Sequence, residues 1–204
     1  MPPEPVHAVT LACHPDTPTD AVSSMSARVC RSPGERLAVS YVVECDLDRV
    51  RVPAPRAPRP ADRLWEHTCC EIFIARKGAP GYREYNFSPS GEWAAYAFEA
   101  YRARCAGEPQ PALSPPQITV RGDRGTLELD ASISLDGLAP RPGARLALAL
   151  SAVIEDSDGK LSYWALRHPR GKPDFHHPDA FALELAATTP PAGAGTPPRA
   201  GGER

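Results

Sequence analysis

The sequence predicts an all-β domain on three observations. Period-2 alternation of apolar and polar side chains recurs along the chain, while helical periodicity is scarce. Turn signals punctuate it at short intervals: Pro33-Gly34, Gly78-Ala79-Pro80-Gly81, Gly122-Asp123-Arg124-Gly125, Arg141-Pro142-Gly143 and Asp156-Ser157-Asp158-Gly159. The 25 prolines cluster between the alternating runs, around 53–60, 109–116 and 190–198, where a missing backbone N–H costs no ladder bond. Many short strands separated in this way indicate a sandwich or a barrel.

In chain order, the first strands are expected at 7–14, 25–30 and 36–45, the last two joined across Pro33-Gly34. The stretch 64–101 holds two of the three tryptophans, four of the six tyrosines and three of the five phenylalanines. It reads as strands 65–76, 82–87 and 92–101, with Ser88-Pro89-Ser90-Gly91 turning the last two into a hairpin. Strands at 117–120 and 126–133 flank the next turn. The second is the cleanest alternation in the chain, with Leu127, Leu129 and Ile133 inward and Glu128 and Asp130 outward. In 145–155, Leu146, Leu148 and Leu150 recur every second residue, which fits a strand better than a helix. Strands at 161–166 and 181–186 complete the set. From Thr188 to Arg204 the chain is mostly Pro, Gly, Ala and Thr, with too little apolar surface to offset ordering entropy. One domain over 1–187 and a disordered tail over 188–204 are therefore expected.

Composition narrows the function classes. A net charge of −2 gives no overall footprint for nucleic acid, and the arginines of 49–59 read as a solvated Pro-rich loop. No window approaches the roughly 18 apolar residues of a membrane span. The N-terminus lacks the basic start and apolar run of a secretory signal, so a cytoplasmic location is expected. In that compartment Cys13, Cys30, Cys45, Cys69, Cys70 and Cys105 read as free thiols, and no CxxC pair suggests zinc. GxSxG, GxxxxGK[ST], GxGxxG and HExxH are all absent, so no catalytic residue is assigned.

The candidate binding residues come from three places. Along 65–76, Trp65, His67, Cys69, Glu71 and Phe73 share one face, and Thr68, Cys70, Ile72 and Ile74 share the apolar, core-facing one. In the hairpin, pairing Ser88 with Gly91 sets Asn86 opposite Trp93 and Glu84 opposite Ala95, leaving Tyr85, Phe87, Ala94, Tyr96 and Phe98 for packing. One residue of slip would invert every side. The third place is the loop after 161–166, where His168, His176, His177, Asp174 and Asp179 gather. These residues could hold a metal, or the aspartates could cap turns while His176 bonds to backbone. The ligand-binding set is then Trp65, His67, Glu71, Glu84, Asn86, Trp93, His168 and His176. Rings stack on sugar C–H groups while carboxylate and amide read hydroxyls, so a saccharide or sugar nucleotide is the expected small-molecule partner. Neither nucleic acid nor membrane is expected as a partner, and no cofactor or metal follows from the residues alone. A metal-assisted enzyme using His168, His176, His177 and Asp174, and an interaction module whose Trp65/Trp93 face is covered by protein, are the rival readings.

Three segments resemble the bacterial DOMON-like proteins, related to DOMON domains and to the family 9 carbohydrate-binding modules. They are Leu64-Trp65-Glu66-His67-Thr68-Cys69 with Glu71; Asn86-Phe87-Ser88-Pro89-Ser90-Gly91-Glu92-Trp93 with Tyr96; and Ser162-Tyr163-Trp164-Ala165-Leu166 with His168, followed by Asp174-Phe175-His176, Asp179 and Phe181. The likeness spans roughly 7–186, with Cys70 standing where an aromatic is expected. It implies a single antiparallel β-sandwich, jelly-roll or immunoglobulin-like, of about 10–11 strands. It also implies a sugar or a haem as ligand, the latter requiring axial ligands from His67, His168, His176 or Met25.

Overall fold

The computed structural model describes residues 5–32, 35–105, 114–123, 125–135, 138 and 145–186. The tail expected at 188–204 lies outside the described residues, as do the turns at Pro33-Gly34 and Arg141-Pro142-Gly143. The described residues form twelve strands: β1 (His7–Cys13), β2 (Val22–Ser32), β3 (Arg36–Cys45), β4 (Cys69–Arg76), β5 (Tyr82–Phe87), β6 (Trp93–Ala100), β7 (Ala103–Arg104), β8 (Gln117–Gly122), β9 (Thr126–Ser134), β10 (Leu146–Glu155), β11 (Leu161–Ala165) and β12 (Leu183–Leu185). They pair antiparallel in the order β7-β6-β5-β4-β10-β11-β1-β2-β3-β9-β8, with β12 also on β10. Among the described residues no helix is long and apolar enough to cross a membrane.

This path doubles back at β1. His7–Leu11 pair with β2, whereas Ala12 and Cys13 pair with Ala165 and Trp164 of β11. The half containing β2, β3, β8 and β9 thereby faces the half containing β4, β5, β6, β10 and β11. One apolar core fills the space between them. Leu37, Val39, Tyr41 and Val43 of β3, with Leu127, Leu129 and Ile133 of β9, meet Ile72 and Ile74 of β4, Tyr85 and Phe87 of β5, and Leu146, Leu148 and Leu150 of β10. Burying each such side chain contributes about 1.5–3 kcal/mol. The Tyr41 hydroxyl spans the gap and donates to the Glu71 carbonyl at 2.6 Å.

The same half-sheet is buried on its other face too. Phe73, Tyr82, Tyr96, Phe98, Val153 and Phe175 form a second cluster there, roofed by the segment that follows β11. Two-sided burial explains why Cys69–Ile74 is buried at every residue and reads as a continuous run rather than an alternation.

Two local features depart from the sequence expectation. The strand expected at 65–76 begins only at Cys69, because Arg63 adopts φ 60 and turns Leu64–Glu66 into one 3₁₀ turn. The β5–β6 hairpin is one residue longer in its loop than expected. Ser88 N–H donates to the Glu92 carbonyl and Gly91 N–H to the Ser88 carbonyl, both at 2.9 Å, with Gly91 at φ 91. A three-residue loop ending in a left-handed glycine is a standard hairpin closure, and it sets Phe87 opposite Trp93, Asn86 opposite Ala94 and Glu84 opposite Tyr96. The expected pairings of Asn86 with Trp93 and Glu84 with Ala95 are therefore corrected by one residue. Tyr96 and Phe98 exchange faces with Trp93. Gly81 is required for a different reason: a Cβ there would lie 2.7 Å from the Phe98 carbonyl oxygen.

Candidate functional site

A cavity of about 330 Å³ opens on the second, non-core face of the half-sheet. Six adjacent strands each supply one lining residue: Arg104 from β7, Phe98 from β6, Glu84 from β5, Glu71 from β4, Val153 from β10 and Tyr163 from β11. Trp65 from the 3₁₀ turn, Arg102 from the β6–β7 turn, and Pro173, Phe175 and His176 from the segment after β11 complete it. Two of the three non-glycine residues with left-handed backbone among the described residues sit beside it. Arg63 presents the turn bearing Trp65, and Arg102 has φ 53. Such conformations persist where surrounding contacts impose them. At Arg102 those contacts are explicit: its N–H donates to the Tyr82 hydroxyl at 3.1 Å and its guanidinium to Asp174 at 2.8 Å.

The floor carries two buried acids. Glu71 is 3% and Glu84 5% exposed. Burial pushes the Glu71 carboxyl well above the usual range, and the neighbouring Glu84 adds to the shift. Glu84 is also raised by burial, partly offset by the Asn86 amide, which donates to its Oε1 at 2.7 Å. Asn86 is fully buried, and its Oδ1 has no donor among the described groups. Glu71 stands directly opposite Asn86 across the β4–β5 ladder, where Cβ atoms approach to about 5 Å. The register thus sets the Glu71 side chain beside the Asn86 amide on the cavity face.

His176 completes the polar wall. Its Nδ1 lies 2.9 Å from the Tyr82 hydroxyl and its Nε2 3.7 Å from Glu84 Oε2. Phe73 and Phe98 pack edge-on against its ring. Burial, with help from Arg102, brings its pKa down to about 4, so the imidazole is neutral near pH 7. Burial works upward on Asp174, but the Tyr101 hydroxyl and the Arg102 guanidinium outweigh it and keep that carboxylate ionised.

Of the sequence-selected residues, Trp65, Glu71, Glu84 and His176 line this cavity, and Asn86 lies behind its floor. The other three stand elsewhere. Trp93 shares a side with Phe87, away from Glu84, and its backbone is held by Arg59 and Ala61. His67 falls outside β4, and its Nδ1 meets Glu155 Oε2 at 2.7 Å. His168 meets the Ala12 carbonyl at 2.8 Å and packs edge-on against His14. His177 accepts from the Asp179 N–H at 3.2 Å. Hence His168, His176 and His177 each have separate partners rather than a common focus. Of the residues named as possible axial ligands, Met25 lies in the inter-sheet core and His176 lines the cavity, while His67 and His168 stand outside it.

Phe98, Arg102, Arg104, Tyr163 and Phe175 were not anticipated from sequence. Tyr163 could have been, since it alternates with Trp164, which faces the core.

Neither a protein-family model nor a curated protein sequence matches the chain. Solved structures do. A candidate carbohydrate-binding protein from Bacteroides uniformis superposes with a TM-score of 0.62 at 17% identity, covering 91% of this chain and 87% of that one. A family 9 carbohydrate-binding module from Caldicellulosiruptor kristjanssonii, in complex with cellotriose, superposes with a TM-score of 0.50 at 11% identity, covering 94% of this chain and 87% of that one. The chain shares its fold with these structures. At these identities the likeness extends to architecture, and the described residues hold twelve strands where about ten or eleven are expected, the short β7 being the addition.

Proposed function

We propose that the protein is a non-catalytic module that holds a saccharide in this cavity. The observation that carries the reading is convergence: the rings of Trp65, Tyr163 and Phe175 share one opening with Glu71, Glu84 and His176. Aromatic faces offer apolar area to sugar C–H groups, and the buried carboxyls and imidazole offer both donors and acceptors to hydroxyls. A neutral Glu71 donates and accepts, which suits a hydroxyl better than a pair of ionised acids would. The cellotriose complex of a module with the same fold supports the ligand class.

Intrinsic tryptophan fluorescence of the full chain, titrated with a glycan panel, tests this. A saturable response to at least one sugar is expected. Trp65→Ala should abolish it, and Glu84→Gln should weaken binding about ten- to a hundredfold, the effect of a lost charge-assisted hydrogen bond. Trp93→Phe, outside the cavity, should retain the response. Silence across the panel by both fluorescence and calorimetry, or wild-type affinity in Trp65→Ala, would sink the reading.

A further inference from the structure

Given saccharide binding at this cavity, on which the inference rests, we propose that the preferred sugar carries an anionic group, a carboxylate or a phosphate, received by Arg104. The first support is placement. Arg104 lies opposite Phe98 in the β6–β7 ladder, so its side chain rises on the cavity face. Its guanidinium carbon sits 4.0 Å from the centroid of the Tyr96 ring. A cation held on an aromatic face keeps the N–H donors at its edge available, and a planar fork of donors matches a carboxylate or phosphate.

The second support is the contrast with neighbouring cations. Arg102 is bound by Asp174 at 2.8 Å, Arg63 by Glu66 at 2.6 Å and Arg59 by Glu92 at 2.7 Å. Among the described residues, no hydrogen bond or ion pair engages the Arg104 guanidinium, although Asp62 and Glu84 lie close enough to feel its charge. Asp62 already accepts from the Tyr96 hydroxyl. Glu84 accepts from Asn86, and burial pushes the Glu71 carboxyl toward its neutral form. His176 is neutral near pH 7. Of the two arginines lining the cavity, Arg104 is thus the one whose guanidinium makes no hydrogen bond or close ion pair among the described residues, and a ligand oxyanion would supply one.

Calorimetry on the full chain with three matched probes decides the matter: methyl β-glucoside, methyl β-glucuronide and glucose 1-phosphate. At least one charged sugar should bind about tenfold or more tightly than the neutral one. That ratio should shrink as salt is raised, because the Arg104 side is open to solvent. Arg104→Gln should collapse the ratio toward one, and Arg104→Lys should restore part of it. The two charged arms separate carboxylate from phosphate. A neutral sugar bound as well as both charged ones, or a ratio unchanged in Arg104→Gln, overturns the proposal while leaving saccharide binding intact. Failure of all three probes and of the wider glycan panel removes both.

Discussion

At the floor of the cavity, Glu71 owes its protonation to burial and to the neighbouring Glu84 rather than to any cation. The folded state therefore keeps a proton that the unfolded chain releases above about pH 4.5, the ordinary glutamate value. By linkage, the stability tied to this proton is fully present below that pH and is lost as pH rises through the folded value. Glu71→Gln keeps the size and shape of the side chain and removes the titration. The variant should therefore gain stability relative to wild type as pH rises from 5 to 8, read as a growing difference in urea midpoint. A constant difference across that range would mean that Glu71 is ionised in the fold. Glu71→Ala, which empties a buried position on the cavity floor, should be destabilised by about 1–3 kcal/mol at pH 5.

At the scale of elements, the β5–β6 hairpin decides which side chains reach the cavity. Its loop closes through Gly91 at φ 91, with Ser90 Oγ 3.0 Å from Glu92 Oε2. Gly91→Ala forces a Cβ into left-handed backbone at a cost of about 1–2 kcal/mol and brings it to 3.3 Å from the Arg56 carbonyl oxygen. Chemical denaturation should show that loss, and a wild-type midpoint would mean that the loop has an easier conformation open to it. The strands themselves were legible because inward residues repeat at period 2: 36–45 and 82–87 match β3 and β5 to the residue. Register was not legible, since two- and three-residue loops both suit Ser-Pro-Ser-Gly and only the pairing distinguishes them. That single residue moved Trp93 out of the candidate site and brought Phe98 in. The stretch before β4 departs from the expected strand for a related reason. Trp65 and His67 alternate with Glu71 in sequence, but the left-handed Arg63 breaks the extended run that alternation assumes. Arg104 carried no sequence signal, because a two-residue strand has no period to detect.

For the whole molecule, the link between core and cavity runs through β4. Its Ile72 and Ile74 pack between the half-sheets while Glu71 and Phe73 face the other way. The Tyr41 hydroxyl ties β3 to this strand at the Glu71 carbonyl. Tyr41→Phe keeps the ring and deletes the tie, so a loss of about 1 kcal/mol is expected. Thermal or urea unfolding measures it, and an unchanged midpoint would show that apolar contact alone holds the two halves in register.

The divided loyalty of β1 bears on how the polypeptide is assembled. Its beginning belongs to one ladder and its end to another, and Ala12 meets a partner at position 165. On a ribosome the early ribbon would emerge long before that partner, leaving a raw border able to recruit foreign strands. Closure so distant along the chain is slow, and haste in synthesis would favour clumping over maturation.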